Sequence, residues 1–184
     1  MTNHAVLIPS KVAAKDIDAF VRPAISASAL DNGNIFTLPQ KTGVSGEGEV
    51  WLAASIPTAY TGATSGCVVW MAGEPELPFA TAGDNVYRGL GNIQDFYISA
   101  CTVFTAFKPM VGDIITVTAD ALDSSTTAAY AIASDTGNYK LLWSASVANG
   151  FTLRYLKTTY IPQANGSAIG GGRITAYQFE VMIA

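Results

Sequence analysis

His4 is the only histidine in the chain, and the two cysteines, Cys67 and Cys101, have 33 residues between them and sit in apolar sequence. A Ser-His-Asp or Cys-His relay would have to run through His4. That residue belongs to an N-terminal stretch expected to be mobile, which speaks against such a relay. A transition-metal site needs more nitrogen and sulfur ligands than one histidine and two dispersed cysteines supply. Neither cysteine sits in a C-x-x-C pair, so both read as free, buried thiols.

Three carboxylate pairs remain: Asp16/Asp18, Glu47/Glu49 and Glu74/Glu76. In an extended chain each pair points to one side, the arrangement that general acid–base work or a hard cation would use. The competing reading, solvated charges that keep an apolar protein soluble, is preferred because nothing around the pairs resembles a substrate site. Gly46-Glu47-Gly48 and Gly170-Gly171-Gly172 lack the Gly-x-x-x-x-Gly-Lys spacing of a phosphate loop. Asn165-Gly166-Ser167 matches the glycosylation sequon without a secretion signal to support it. Trp51, Trp70 and Trp143 would form a sugar-stacking platform on one exposed face, but indoles more often fill a core. No catalytic, cofactor-binding or metal-ligating residue is assigned, and no cofactor is expected.

The elements that would position these residues are strands and turns. Asp31-Asn32-Gly33 is a turn signal ahead of an apolar run, Asn34 to Leu38. Val50, Leu52, Ala54 and Ile56 alternate and predict one buried strand face. Cys67 to Met71 and Asp113 to Ala119 read as buried strands. Tyr139, Leu141, Trp143 and Ala145 share a face, as do Phe151, Leu153 and Tyr155; with Asn149-Gly150 between them they predict a hairpin. Thr175 to Ile183 alternates to the last residues and predicts a strand paired within a sheet. Ile93, Phe96, Tyr97, Ala100, Phe104 and Phe107 recur at helical spacing and predict a short helix, with a strand as the alternative because Cys101-Thr102-Val103 is β-favouring, and Val12 to Phe20 suits one or two helical turns. The segments 60–66, 124–134 and 163–172 are small, polar and uncharged, as loops are.

Composition narrows the class. Of 184 residues, 49% are hydrophobic and only 13% charged, against about 25% charged in an ordinary soluble protein. That combination excludes intrinsic disorder. A net charge of −4 argues against an electrostatically driven nucleic-acid binder. The long uncharged stretch Val50 to Gly73 is broken by Pro57, Gly62 and Gly66, so it does not read as a membrane span. The opening residues lack a basic and then apolar leader pattern, so synthesis in a cytoplasm is expected. Charge is also uneven, net −6 over residues 74–135 and net +3 over 136–184.

Together these features predict an all-β protein, a mainly antiparallel sandwich or barrel with at most one or two short helices. Residues 23–184 would form its single domain. Residues 1–22 mix Val6, Leu7 and Ile8 with Pro9 and the charges Lys11, Lys15, Asp16 and Asp18. That is poor material for a core strand, and an extended N-terminal arm is expected.

Pro23 to Leu38 (PAISASALDNGNIFTL) resembles the opening of small proteins encoded beside the major capsid protein of tailed bacteriophages. Glu49 to Ala53 and Phe107 to Leu122 are similar to the same group, the capsid decoration or cement proteins. The resemblance implies a non-enzymatic virion protein on the capsid exterior, with the major capsid protein and further copies of itself as partners. It implies a homotrimer, because that group commonly sits at three-fold capsid positions. A tail-tube or other phage structural protein, or a carbohydrate-binding surface module, are the alternatives.

Overall fold

The computed structural model describes residues 3–42, 49–57, 68–75, 79–82, 85–88, 93–123, 127–133, 137–147, 150–162 and 173–184. Runs of β-branched and aromatic residues, interrupted by Gly, Pro and Asn, form the strands. In chain order these are β1 (Leu7–Ile8), β2 (Val21–Ile25), β3 (Ile35–Lys41), β4 (Trp51–Ala54), β5 (Val69–Ala72), β6 (Phe79–Ala82) and β7 (Asn85–Arg88). After them come β8 (Val103–Phe107), β9 (Ile114–Thr118), β10 (Tyr130–Ala133), β11 (Leu141–Ser144), β12 (Thr152–Pro162) and β13 (Arg173–Ile183). The protein is all-β.

The strands make a closed barrel, β2-β4-β3-β5-β8, a six-stranded sheet, β1-β9-β13-β12-β10-β11, and the separate hairpin β6-β7. Every strand ladder is antiparallel except β2 with β4. Period-2 alternation divides the barrel side chains between two cores. Ala24, Phe36, Ala53, Trp70, Phe104 and Ala106 fill the barrel interior. Ile35, Val69, Met71 and Phe107 point the other way and share a core with Ile115, Val117, Leu153 and Phe179 of the sheet. The barrel wall is thus one layer of the main core and the six-stranded sheet is the other.

The N-terminal segment is not an extended arm. Ala5, Val6, Leu7, Val12 and Ala14 are all buried, and β1 pairs with β9. The Val6 N–H donates to Thr118 Oγ1 at 3.0 Å, and the Val6 carbonyl accepts from the Thr118 N–H at 3.0 Å. The Asp113 carboxylate, itself buried, accepts from the Ala13 and Met110 N–H groups, each at 2.9 Å. The charges Lys11, Asp16 and Asp18 remain exposed, so the apolar residues between them can turn inward at little cost. In place of the one or two helical turns expected between Val12 and Phe20, there are two 3-10 turns, Ala13–Asp16 and Asp18–Phe20.

Other expectations are corrected. Helical spacing at 93–107 yields only a 3-10 turn, Ile93–Asp95, followed by β8; the barrel needs a strand between β5 and β2, and β-favouring Thr102 and Val103 oblige. In β4, Ala53 is the buried residue while Leu52 and Ala54 are half-exposed, so the expected alternation is inverted within the strand, although Ile56 beyond its end is buried in the main core. β11 and β12 do not form a hairpin, because β10 lies between them and pairs with both. That strand falls in a segment read as loop, since its inward residues are only Ala131 and Ala133. Leu141 and Trp143 share a buried face as expected, but Tyr139 and Ala145 lie outside β11, Tyr139 against the barrel core and Ala145 exposed; the β12 face is as expected, and β13 is paired on both sides.

Deleting residues 3–12 would remove Val6, Leu7 and Val12 from the cores. At roughly 1.5–3 kcal/mol per buried aliphatic side chain, the loss is on the order of 5 kcal/mol. A fall in melting temperature of more than about 10 °C is expected in circular dichroism melts; a truncated protein as stable as the full chain would contradict this account.

Candidate functional site

Inward-facing positions on successive barrel strands carry the site. Arg22 on β2 is two residues from buried Ala24, Trp51 on β4 two from Ala53, and Lys108 two from Ala106 beyond the end of β8. Alternation therefore brings these side chains to one open end of the barrel, where Trp70 and Leu38 close the interior. The result is a cleft of about 420 Å³ whose walls also include Thr37, Pro39 and Val68. The mouth of a β-barrel is a common place for a ligand pocket.

The Arg22 guanidinium lies between two indoles, its Cζ 4.4 Å from the Trp51 ring centroid and 4.8 Å from that of Trp70. Contact with two aromatic faces attracts and holds the cation. Lys41 lies 5.7 Å from the Trp51 centroid and forms an exposed ion pair with Glu49 at 2.9 Å. Neither Arg22 nor Lys108 has a carboxylate partner among the described residues. In an acidic protein, two such cations at one mouth form a local positive site.

A second cleft, about 530 Å³, is lined by His4, Asp31, Asn34, Asp123, Asn138 and Lys140 among others. His4 is held, not mobile: Nδ1 contacts Asp31 Oδ1 at 2.7 Å, and the ring stacks on Tyr97 at 4.9 Å. The other Asp31 oxygen accepts from the Ala5 N–H at 3.2 Å. This orients an imidazole, but the described lining contains no serine, threonine or cysteine to act as nucleophile. Nearby, the Gln94 amide donates to Asp120 at 3.1 Å. Partial burial raises the Asp120 pKa; the Gln94 hydrogen bond and Lys140 oppose the shift, and the charge of Asp31 adds to it.

The remaining sequence candidates are scattered. Asp16 and Asp18 are exposed on the 3-10 turns. Glu74 is half-buried and accepts from the Thr105 N–H, so it serves the barrel wall. Glu47, Glu76, Cys67, both glycine clusters and Asn165 to Ser167 lie outside the described residues. Cys101 is free but exposed, not buried. Among the described residues no group of three His, Cys, Asp or Glu could hold a metal ion, and no helix is long and apolar enough to cross a membrane. Trp51 and Trp70 meet across Arg22, whereas Trp143 is buried in the main core against Tyr155, Tyr177 and Phe179. Sequence reasoning missed Arg22 and Lys108. The available signal was a cation in phase with the alanines of an alternating strand.

Compared with known protein families, with curated proteins and with solved structures, the chain finds no match in any of the three.

Because folding raises the Asp120 pKa, its ionisation opposes folding. The associated stability is present below the ordinary aspartate range and is lost as pH rises through the raised value. Asp120→Asn is expected to melt at or above the wild-type temperature near neutral pH. The advantage should shrink towards zero below about pH 4, as melts across that range will show; a variant equally destabilised at every pH would contradict it.

Proposed function

We propose that the chain is a non-enzymatic structural protein of a tailed-phage virion, bound as a trimer to the outside of the capsid shell and stabilising it. The resemblance of Pro23 to Leu38, Glu49 to Ala53 and Phe107 to Leu122 to decoration proteins supplies the shell and the number three. The structural feature that supports the reading is the outer edge of β12. β10 covers that edge only at Thr152 to Arg154, and the Tyr155 N–H reaches the Ala129 carbonyl at 3.0 Å. From Leu156 to Pro162, no described strand pairs with it on that side. An open strand edge offers backbone donors and acceptors to a neighbouring chain.

The side chains there suit contact with protein. Leu156 and Tyr160 are exposed, at 38% and 56%, Lys157 is the edge's only charge, and Arg173 lies over the Tyr160 ring at 5.9 Å. Repeated over a shell, many such modest contacts add by multivalency and oppose outward pressure with no chemical step.

The test is re-addition of purified protein to capsids stripped of it. Tyr160→Asp and Leu156→Asp should leave the free protein's stability within about 0.5 kcal/mol, as exposed substitutions do. Loss of a buried tyrosine anchor costs about 2 kcal/mol, so Tyr160→Asp should weaken capsid binding about thirty-fold. Wild-type affinity in both variants, or location of the protein on tails, would overturn the reading.

A further inference from the structure

We infer that the barrel mouth recognises a carboxylate carried on an apolar peptide segment, an Asp or Glu side chain flanked by aliphatic residues. The inference goes beyond attachment to a shell and does not depend on β12. Arg22 and Lys108 supply two positive groups with no acidic partner among the described residues. The two indole faces hold the guanidinium in the cleft, and its planar fork suits a planar carboxylate through two parallel N–H···O bonds. Lys108 adds a second point charge beside it.

The rest of the cleft selects the body of the ligand. Leu38, Pro39, Val68 and the two indoles give it apolar walls, and Thr37 is the one uncharged hydrogen-bonding side chain besides the indole N–H groups. A saccharide presents many hydroxyls and needs matching amides or carboxylates, which this described lining lacks. Aliphatic peptide side chains need only the apolar walls. The volume, about 420 Å³, accommodates an acidic side chain with one neighbour.

The experiment titrates the full chain with Ac-Ile-Glu-Leu-NH2, following tryptophan emission. Ac-Ile-Gln-Leu-NH2, glucuronate and inorganic phosphate serve as competing probes. The acidic peptide should bind saturably, and at least about ten-fold more tightly than its Gln counterpart, the difference a charge-assisted bidentate pair makes. Lys108→Gln should weaken it about five-fold with the melting temperature unchanged, and Arg22→Lys about ten-fold, since an ammonium presents no fork. If Arg22→Lys perturbs the barrel, Lys108→Gln alone decides. Equal binding of the Gln peptide, wild-type affinity in Lys108→Gln, or no peptide binding would overturn the inference. Tighter binding of glucuronate or phosphate would overturn it too, making the mouth a sugar-acid or general anion site.

Discussion

The architecture depends on close packing at Gly33, where the barrel meets β9 of the sheet, and at Gly73, beside Phe107 within the barrel. Gly33 has φ +84°, and a Cβ there would lie 2.9 Å from Val117 Cγ1. A Cβ on Gly73 would lie 2.8 Å from two carbons of the Phe107 ring. Both positions require the smallest residue, Gly33 for its left-handed backbone as well. The two are also tied together: the Gly33 N–H donates to Ala72 at 2.9 Å, and the Asn32 side chain exchanges hydrogen bonds with the Glu74 backbone. The turn before β3 is therefore stitched to the end of β5. This brings the outer wall of the barrel onto β9, so that Phe107 and Val117 share one core.

That approach decides where everything else can go. Ile35, Val69, Met71 and Phe107 turn from the barrel onto the sheet, while Arg22, Trp51 and Lys108, in phase with the inward Ala24, Ala53 and Ala106, emerge at the mouth. The sheet, in turn, is covered on its second face by the N-terminal segment, where Val6 packs with Ile161, Ile174 and Ala176. Strand β13 consequently buries residues of both phases, Ile174 and Ala176 on one side and Phe179 and Val181 on the other. The long β12-β13 pair has a bulge between Tyr155 and Lys157, at the point where β10 stops covering it. A bulge bends a strand and increases its local twist, in keeping with the absence of a described strand on that side beyond it.

The two clefts differ in what their charges are committed to. Around His4, Asp31 and Asp120, opposite charges and amides largely satisfy one another, and the imidazole fastens the N-terminal segment to the 31–34 turn. At the barrel mouth Arg22 rests against two indole faces, and neither it nor Lys108 has a carboxylate partner among the described residues. Burial of Trp143 in the main core removes it from any surface platform, and the mouth retains two indoles that Arg22 already occupies.

Residue order alone determined the all-β class, the turn at Asp31 to Gly33, most strand positions and the inward faces of β11 and β12. Those features follow from local alternation and from turn residues whose backbone demands are intrinsic. Residue order did not reveal β10, because a strand that buries only alanines has no apolar signature, and so the neighbours of β11 and β12 were misassigned. It likewise hid the role of residues 3–22, whose apolar side chains are too few to mark a strand until β9 and Thr118 provide partners. The barrel mouth needed the tertiary structure most of all. Arg22, Trp51, Trp70 and Lys108 are separated by up to 86 positions, and only closure of the barrel places them around one opening.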